Sequence, residues 1–293
     1  MSFVIAFVLS LVFVRFFPQK FPVDLPNSRK IHKMPIPLTG GTAIFVALLV
    51  TENRPGVIVL VCLAFLVGIL DDIEQLSYKI KLPFQLIIAL FGTMSAPNGL
   101  YFLSIPLNAV FGKIVLIFWF MSMFNAINMI DGMDALACST SMLSAFLMGE
   151  WHLGLAIGGF LPFNLPKAKS FLGNSGSAIL GAVLPLFAIV FFKGDLCYAT
   201  VFLGYPAYEV VSSFLRRVIG HRNPFMADKK HTHHLFMKKL GVWRTLTLLI
   251  SFSFSCNLLG LTEKFWSLAI FFLISGILFA YCFLQGRNSD FNL

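Results

Sequence analysis

Apolar residues fill almost the whole chain and are interrupted only by short polar stretches. Eleven apolar segments can be separated, although several are shorter than the roughly 20 residues that cross a bilayer upright. They cover residues 1–17, 38–51, 56–70, 80–96, 112–130, 135–150, 151–165, 177–192, 195–214, 242–261 and 264–284. No long linker, internal repeat or low-complexity tract separates them. The pattern predicts an all-α polytopic membrane protein with about 10–11 transmembrane helices, forming one domain over residues 1–293.

Composition excludes an ordinary soluble domain. Hydrophobic residues make up 58% of the chain and charged residues 12%, against roughly a quarter charged in soluble proteins. The first segment lacks the basic region and the cleavage site of a signal peptide, which predicts a retained first span. The five isolated cysteines have no C-x-x-C spacing and are predicted to pack as buried thiols. They are Cys62, Cys138, Cys197, Cys256 and Cys282.

Lysine and arginine are distributed unevenly between alternate loops. If the loop at 18–37 is cytoplasmic, eighteen of the 22 Lys and Arg residues fall on the cytoplasmic side. Short cytoplasmic loops carry such an excess of basic residues. We therefore expect an external N-terminus and a cytoplasmic C-terminus in a bacterial cytoplasmic (inner) membrane.

The unusual polar residues fall on this predicted cytoplasmic side. They are Asp71 and Asp72, then Asn125, Asn128, Asp131 and Asp134, then Asn174, Ser175 and Ser177, and finally His231, His233 and His234. Ionisable groups near hydrocarbon are costly and usually face a cavity or a partner. Four distant stretches that share one face predict one site with cytoplasmic loops.

Each stretch has a plain alternative to its functional interpretation. Asp71-Asp72 is either a helix end that reaches water, or a base, metal or phosphate-handling pair that needs cationic partners. The three-residue spacing of Asn128, Asp131 and Asp134 would place them along one helical face if the helix continues there, and their oxygen ligands suit Mg²⁺.

FLGNSGS at 171–177 indicates a glycine-bearing turn that opens a helix, whose amides and dipole favour an anion such as pyrophosphate. Small residues that allow close helix packing explain it equally well.

The segment at 216–241 contains eleven Lys, Arg or His residues and a single acid. Positive-inside topology explains part of this charge but not H-x-H-H. A zinc site lacks completing ligands, and a nucleic-acid surface is not expected in so small a loop against the membrane. Donors of this kind bind the phosphates of a nucleotide sugar directly.

In this order the motifs resemble the polyprenyl-phosphate N-acetylhexosamine-1-phosphate transferases of glycosyltransferase family 4, nearest the undecaprenyl-phosphate GlcNAc-1-phosphate transferase branch. The resemblance covers about residues 24–241. It is carried by DLPNSRKIHKMPIPLTGGTAIF, GILDDIEQLSYKIKLPFQ, NAINMIDGMDALA, GFLPFN with FLGNSGS, and ADKKHTHHL.

The resemblance implies a role for each matching position. Asp71 and Asp72 would activate or position the lipid phosphate, which Lys81 would contact, and Asp131 would complete the catalytic set. The implied substrate-binding residues are Asp134 near the uracil, Asn125, Phe171 stacked on the base, and Arg217, His231, His233 and His234 around the sugar phosphate. The implied metal ligands are Asn128 and Asn174. Asn174 departs from the family, because it replaces an Asp that ligates Mg²⁺.

The resemblance implies Mg²⁺-dependent transfer of N-acetylhexosamine-1-phosphate, with GlcNAc as the default, from the UDP-sugar to undecaprenyl phosphate, which starts a glycopolymer such as O-antigen. Mn²⁺ is the alternative metal, and a homodimer is expected because dimers occur among relatives. The competing hypotheses are a catalytically impaired relative that binds lipid or nucleotide sugar, and a lipid-linked transporter.

Overall fold

The computed structural model describes residues 1–17, 22–25, 35–221 and 231–290, with side chains described as far as Gln285. Within these ranges the chain forms thirteen α-helices. They are α1 (Ser2–Phe16), α2 (Gly40–Thr51), α3 (Pro55–Glu74), α4 (Tyr78–Met94), α5 (Ala109–Ile130), α6 (Leu136–Leu147), α7 (Trp151–Asn164), α8 (Gly173–Phe191), α9 (Leu196–Phe202), α10 (Gly204–Ile219), α11 (Thr232–Leu240), α12 (Val242–Leu261) and α13 (Phe265–Asp290). Two short antiparallel pairs also occur, β1 (Val23–Asp24) with β2 (Ile36–Pro37) and β3 (Tyr101–Phe102) with β4 (Ile105–Pro106).

The helices agree with the predicted membrane class. Helices α3, α5, α8, α12 and α13 are long and apolar enough to cross a membrane, and α1, α2 and α6 are shorter apolar helices. Large apolar side chains such as Phe272 and Leu273 on α13 are 67% and 64% exposed, as expected for side chains that face lipid. The chain is an all-α, multi-pass membrane protein, as predicted.

The eleven predicted segments each contain a helix, but two details differ from the prediction. The ninth segment, 195–214, contains two helices, α9 and α10. Helix α11 lies in the basic segment 216–241, where no helix was predicted. The motif residues at 26–34 and 227–230 lie outside the described residues, as do Lys20 and Arg222 from the charge count.

The break between α9 and α10 has a local cause. Pro206 has no backbone N–H, so it cannot donate to the carbonyl of Phe202 one turn earlier. The Asn257 side chain on α12 donates to this carbonyl instead, at 2.6 Å. An inserted side chain thus replaces the missing helical hydrogen bond and attaches α12 to the break.

Helix α8 lies at the centre of the helix bundle, and 83% of the residues in its 18-residue apolar stretch are buried. Glycines on its neighbours allow this close packing. A Cβ atom at Gly68 of α3 would lie 2.4 Å from the Cα atom of Ser175, and one at Gly41 of α2 would lie 2.3 Å from the backbone nitrogen of Gly176. Small residues let membrane helices approach until their backbones touch. This packing fixes the N-terminus of α8 beside the C-terminal part of α3.

The polar loops meet in two groups, at opposite ends of α3. At its N-terminal end Arg54 pairs with Glu150, which precedes α7. At its C-terminal end Asp72 contacts the start of α8, where Asn174 in turn contacts the end of α5. The structure therefore brings the predicted polar stretches together at one end of the bundle.

Candidate active site

The carboxylate of Asp72 caps the N-terminus of α8. Its Oδ1 atom accepts the backbone N–H of Asn174 at 2.7 Å, and its Oδ2 atom accepts that of Ser175 at 3.0 Å. Gly173 has a φ of +77° there, and a Cβ at this position would lie 2.9 Å from Oδ2. The helix terminus was predicted to bind an anion such as pyrophosphate, and in the structure its two amides bind the Asp72 carboxylate. These two amides are therefore not available to a pyrophosphate.

Asp71 has a different partner from Asp72. Its Oδ2 atom lies 2.6 Å from Nζ of Lys81 on α4, and its Oδ1 atom accepts the backbone N–H of Leu76 at 2.9 Å. Asp71 is buried, whereas the Lys81 side chain is one-third exposed. An ammonium and a helix N-terminus thus neutralise the two adjacent carboxylates separately, which limits their mutual repulsion.

Two asparagines join the end of α5 to the start of α8. The Asn128 Nδ2 atom donates to Oγ of Ser177 at 2.9 Å and to Oδ1 of Asn174 at 3.3 Å. Asp131, the C-cap of α5, is half-buried beside them. Burial, together with the nearby Asp72 and Asp134 carboxylates, raises the pKa of Asp131 well above its ordinary value. A cation beside Asp131 would favour its charged form.

A cavity of about 360 Å³ opens at the junction of α5, α8, α10 and α11. Its described walls are Asn128, Met129, Asp131, Gly132, Asn174, Arg217, His231, His233 and His234. Seven of these nine are site residues that the sequence predicted. The cavity therefore combines one carboxylate and two side-chain amides with one guanidinium and three imidazoles.

The three histidines form a cluster at the start of α11. The rings of His231 and His233 are parallel with centroids 5.6 Å apart, and those of His233 and His234 are 4.2 Å apart. His233 is fully buried, and neither of its ring nitrogens has a hydrogen-bond partner among the described residues. Burial, and secondarily His234, lowers the pKa of His233 to about 3. His233 is therefore a neutral imidazole at the cavity wall, whose hydrogen-bonding capacity is unused within the described part of the chain.

Gly132 makes room for His233. A Cβ atom at this position would lie 2.6 Å from Nε2 of the imidazole. The glycine of the N-M-I-D-G motif thus lets α11 approach the end of α5.

Six predicted site residues are not among the described walls of the cavity. They are Asp71, Asp72, Lys81, Asn125, Asp134 and Phe171. Asn125 exchanges two side-chain hydrogen bonds with Gln85 of α4, at 3.0 and 3.1 Å. Asp134 accepts the backbone N–H groups of Lys167 and Ala168, at 3.1 and 3.3 Å. These contacts attach α4 and the 165–171 loop to the site.

Phe171 lies in the same loop and pairs with the segment before α2. It forms a bridge with Leu38, and its backbone N–H donates to the Pro37 carbonyl at 3.0 Å. The predicted stacking of its ring on a base stays a prediction.

Sequence reasoning missed Glu209 and Asn164. Glu209 on α10 is fully buried and binds His231, with 3.0 Å between Oε1 and Nδ1. Its position as an acid in the interior of an apolar segment was the available signal. Asn164, which ends α7, accepts the Ala135 N–H and donates to the Ser170 carbonyl. Its position in the sequence does not distinguish it from an ordinary polar residue at the end of a helix.

The donor set is compatible with Mg²⁺. The described residues contain no group of three or more His, Cys, Asp or Glu side chains placed to hold a metal ion. Mg²⁺ usually needs fewer, because one or two carboxylates hold it together with water and substrate phosphates. Asp131 with the amides of Asn128 and Asn174 offers such a partial set on one wall of the cavity. All five cysteines are free; four are buried as predicted, whereas Cys62 is partly buried, and none lines the described walls of the cavity.

Together the fold and the cavity define a multi-pass membrane protein with a polar, partly cationic site at one end of its helices. Residues 55–192 match the model of glycosyl transferase family 4. The undecaprenyl-phosphate alpha-N-acetylglucosaminyl 1-phosphate transferase of Thermotoga maritima is 43% identical over 291 residues, which cover 99% of both chains. The chain belongs to glycosyl transferase family 4, as its motifs predicted.

More distant relatives have similar descriptions. A Bacillus subtilis protein described as a probable undecaprenyl-phosphate N-acetylglucosaminyl 1-phosphate transferase is 29% identical, over 94% of this chain and 89% of its own length. The undecaprenyl-phosphate alpha-N-acetylglucosaminyl 1-phosphate transferase of Yersinia pestis is also 29% identical, over 89% and 83%. The similarity thus extends well beyond the residues that the family model matches.

Proposed function

We propose that this protein transfers N-acetylglucosamine-1-phosphate from UDP-N-acetylglucosamine to undecaprenyl phosphate and releases UMP. The observation that carries the proposal is the cavity where Asp131, Asn128, Asn174, Arg217 and the histidines converge. Both reactants are anionic at the reacting end, and guanidinium and imidazole donors suit phosphate oxygens. The names of the relatives support the acceptor and the transferred sugar phosphate.

In the proposed reaction an oxygen of the lipid phosphate attacks the phosphorus that carries the sugar. A new P–O bond forms, the P–O bond to UMP breaks, and UMP leaves with the bonding electrons. Such transfers need positioning and charge stabilisation more than covalent help from the protein. Bound Mg²⁺ would supply charge neutralisation of the pyrophosphate, held by Asp131 with Asn128 and Asn174.

The remaining residues divide between phosphate binding and positioning. Arg217 and the three histidines would hold the sugar phosphate. Asp71 holds Lys81, whose ammonium would meet the lipid phosphate. Asp72 orders the start of α8 and with it Asn174.

We further propose that this end of the bundle faces the cytoplasm of a bacterial cell, within the cytoplasmic membrane. The uneven distribution of Lys and Arg supports this orientation, and basic loops would recruit the anionic substrates. A transporter would instead place its polar groups near the middle of the membrane. Here they gather at the helix ends, which disfavours transport.

The test is transfer by the purified protein, incubated with Mg²⁺, undecaprenyl phosphate and radiolabelled UDP-N-acetylglucosamine. We expect label in the lipid phase with one UMP released per sugar phosphate. Asp131→Asn should be nearly inactive. Glu74→Gln, which changes an exposed carboxylate at the C-terminal end of α3, should match the wild type. UDP-N-acetylgalactosamine serves as the competing donor. If neither the wild type nor Asn174→Asp transfers label from any UDP-N-acetylhexosamine, the proposal is wrong.

A further inference from the structure

Glu209 is a buried carboxylate outside the walls of the cavity. It lies on α10 with no exposed surface. Its Oε1 atom is 3.0 Å from Nδ1 of His231 and accepts the backbone N–H of Thr232 at 3.1 Å. Arg216 lies next to it, with Nη2 at 3.6 Å from the same oxygen. A charge buried in this way is costly unless it is paired and hydrogen-bonded.

The contact with Glu209 fixes the tautomer of His231. An ionised carboxylate only accepts hydrogen bonds, so the ring must donate through Nδ1–H. The Ser213 hydroxyl, 3.4 Å from Nδ1, lies on the same side of the ring. Because Nδ1 is occupied, Nε2 is the ring nitrogen that remains for the cavity that His231 lines. A carboxylate behind an imidazole in this way orients the ring.

The same oxygen also fixes where His231 stands. Thr232 is the first residue of α11 and His231 is its N-cap, so Glu209 accepts one of the free amides at this helix terminus. A single carboxylate on α10 therefore sets both the ring orientation of His231 and the origin of the helix that carries His233 and His234.

We infer that Glu209 is a positioning residue for the transfer reaction, which holds His231 so that its Nε2 atom binds a phosphate oxygen of the nucleotide sugar. This inference rests on the proposed function. It differs from a purely structural role, in which Glu209 would only hold α10 and α11 together, because it requires that Glu209 act through His231.

A double-mutant cycle separates the two roles. We would measure kcat/KM for UDP-N-acetylglucosamine with the wild type, Glu209→Gln, His231→Ala and the double variant. The glutamine keeps the size of the side chain and removes its charge. Each single change should lower kcat/KM at least about tenfold, as expected for residues that orient a ligand group. The double variant should lie within about twofold of His231→Ala, because the effect of Glu209 passes through the imidazole.

Glu52→Gln is the matched control. Glu52 is also buried and paired with an arginine, but it lies beside the N-terminus of α3, at the end of the bundle opposite the cavity. It should leave kcat/KM unchanged in both the wild-type and the His231→Ala backgrounds. Thermal melting of each variant reports folding, and if Glu209→Gln does not fold, Glu209→Asp, which keeps the charge, takes its place in the cycle.

Binding of UDP-N-acetylglucosamine without acceptor lipid provides a second cycle that needs no turnover. If the wild type binds the nucleotide sugar but transfers nothing, the proposed function fails while this cycle still tests Glu209. Losses of affinity that do not accumulate in the double variant support the inference. Fold-changes that multiply in both cycles, or a wild type without affinity for the nucleotide sugar, would overturn it.

Discussion

The backbone N–H of Asn174 donates a 2.7 Å hydrogen bond to the side chain of Asp72, across 102 residues of sequence. This contact joins the C-terminal end of α3 to the N-terminus of α8. A carboxylate at a helix N-terminus satisfies free amides and complements the helix dipole. Asp72 thus determines where Asn174 stands, and through it the wall of the cavity.

The first prediction concerns this cap. Asp72→Ala leaves two helix amides without an acceptor, so we expect a loss of about 1–2 kcal/mol in the free energy of unfolding. We also expect kcat/KM to fall at least about tenfold because Asn174 loses its fixed position. Asp72→Asn keeps one acceptor and should be intermediate. Melting curves and transfer assays in detergent measure both effects, with Glu74→Gln as the neutral control. An inactive Asp72→Ala that melts like the wild type would instead indicate direct action on substrate.

The second prediction concerns Asn174, which occupies the place of a family aspartate. Its Oδ1 atom accepts a hydrogen bond from Asn128, and a carboxylate at this position could do the same. Asn174→Asp adds a negative charge to the cavity wall, and charged oxygen ligands bind Mg²⁺ more tightly than amides. We expect the Mg²⁺ concentration for half-maximal activity to fall by about tenfold.

Asn125→Asp provides the comparison for this effect. Asn125 lies one turn before Asn128 on α5 but pairs with Gln85, away from the described walls of the cavity. This variant should leave the Mg²⁺ dependence unchanged. Identical Mg²⁺ titrations for the wild type and Asn174→Asp would contradict a metal-binding role for this position.

The sequence predicted which residues gather but not how they contact one another. Periodicity and length located the helices because lipid requires long apolar stretches. The same hydropathy could not separate α9 from α10, since the break depends on Pro206 and on Asn257, which is 51 residues further along. A pattern of apolar residues cannot show that a distant side chain, Asn257, replaces one backbone hydrogen bond of this helix.

The partner of each site residue was similarly beyond prediction. Asp72 was interpreted as acting on lipid phosphate, and the amides of FLGNSGS as acting on pyrophosphate, whereas the two bind each other. Each motif alone indicates only an anion or an anion-binding group, without its partner. Only the close packing of Gly68 against Ser175 determines that they meet.

The third prediction tests the contact between Gly132 and His233. Gly132→Ala places a methyl group 2.6 Å from Nε2 of the imidazole, so α11 or the end of α5 must shift. Misplacement of a binding group by about 1 Å can cost on the order of a hundredfold in rate. We expect kcat/KM to fall by about tenfold to a hundredfold. Gly276→Ala on α13, where a Cβ meets nothing within 4 Å, should match the wild type. Full activity in Gly132→Ala would show that the reaction does not require α11 to pack this closely against the end of α5.

A cluster at the other end of the bundle leads to the fourth prediction. Arg54 donates to Glu52 through Nε and Nη2, both at 2.8 Å, and to Glu150 through Nη1 at 2.9 Å. It also lies 4.7 Å from the centre of the Phe187 ring. The cluster joins the α2–α3 turn to the start of α7 and to α8. Burial alone would raise the pKa of Glu52, but the hydrogen bonds and charge of Arg54 outweigh it and lower the pKa below its ordinary value.

Because its pKa is lower in the folded protein, ionised Glu52 stabilises the fold above the pKa of the unfolded chain. This contribution is lost as the pH falls through the lower, folded pKa. At pH 7, Glu52→Gln should therefore reduce the free energy of unfolding by about 1–3 kcal/mol, the range for a hydrogen bond to a charged group. The difference between wild type and variant should shrink as the pH falls from the ordinary pKa of a glutamate through the lower pKa of folded Glu52, where the wild-type carboxylate becomes protonated as well. Thermal melting of both proteins in detergent from pH 7 to pH 3 measures this convergence, and Glu74→Gln should follow the wild type throughout. A constant difference between Glu52→Gln and the wild type over the whole range would show that size and shape, rather than the charge of Glu52, hold this end of the bundle together.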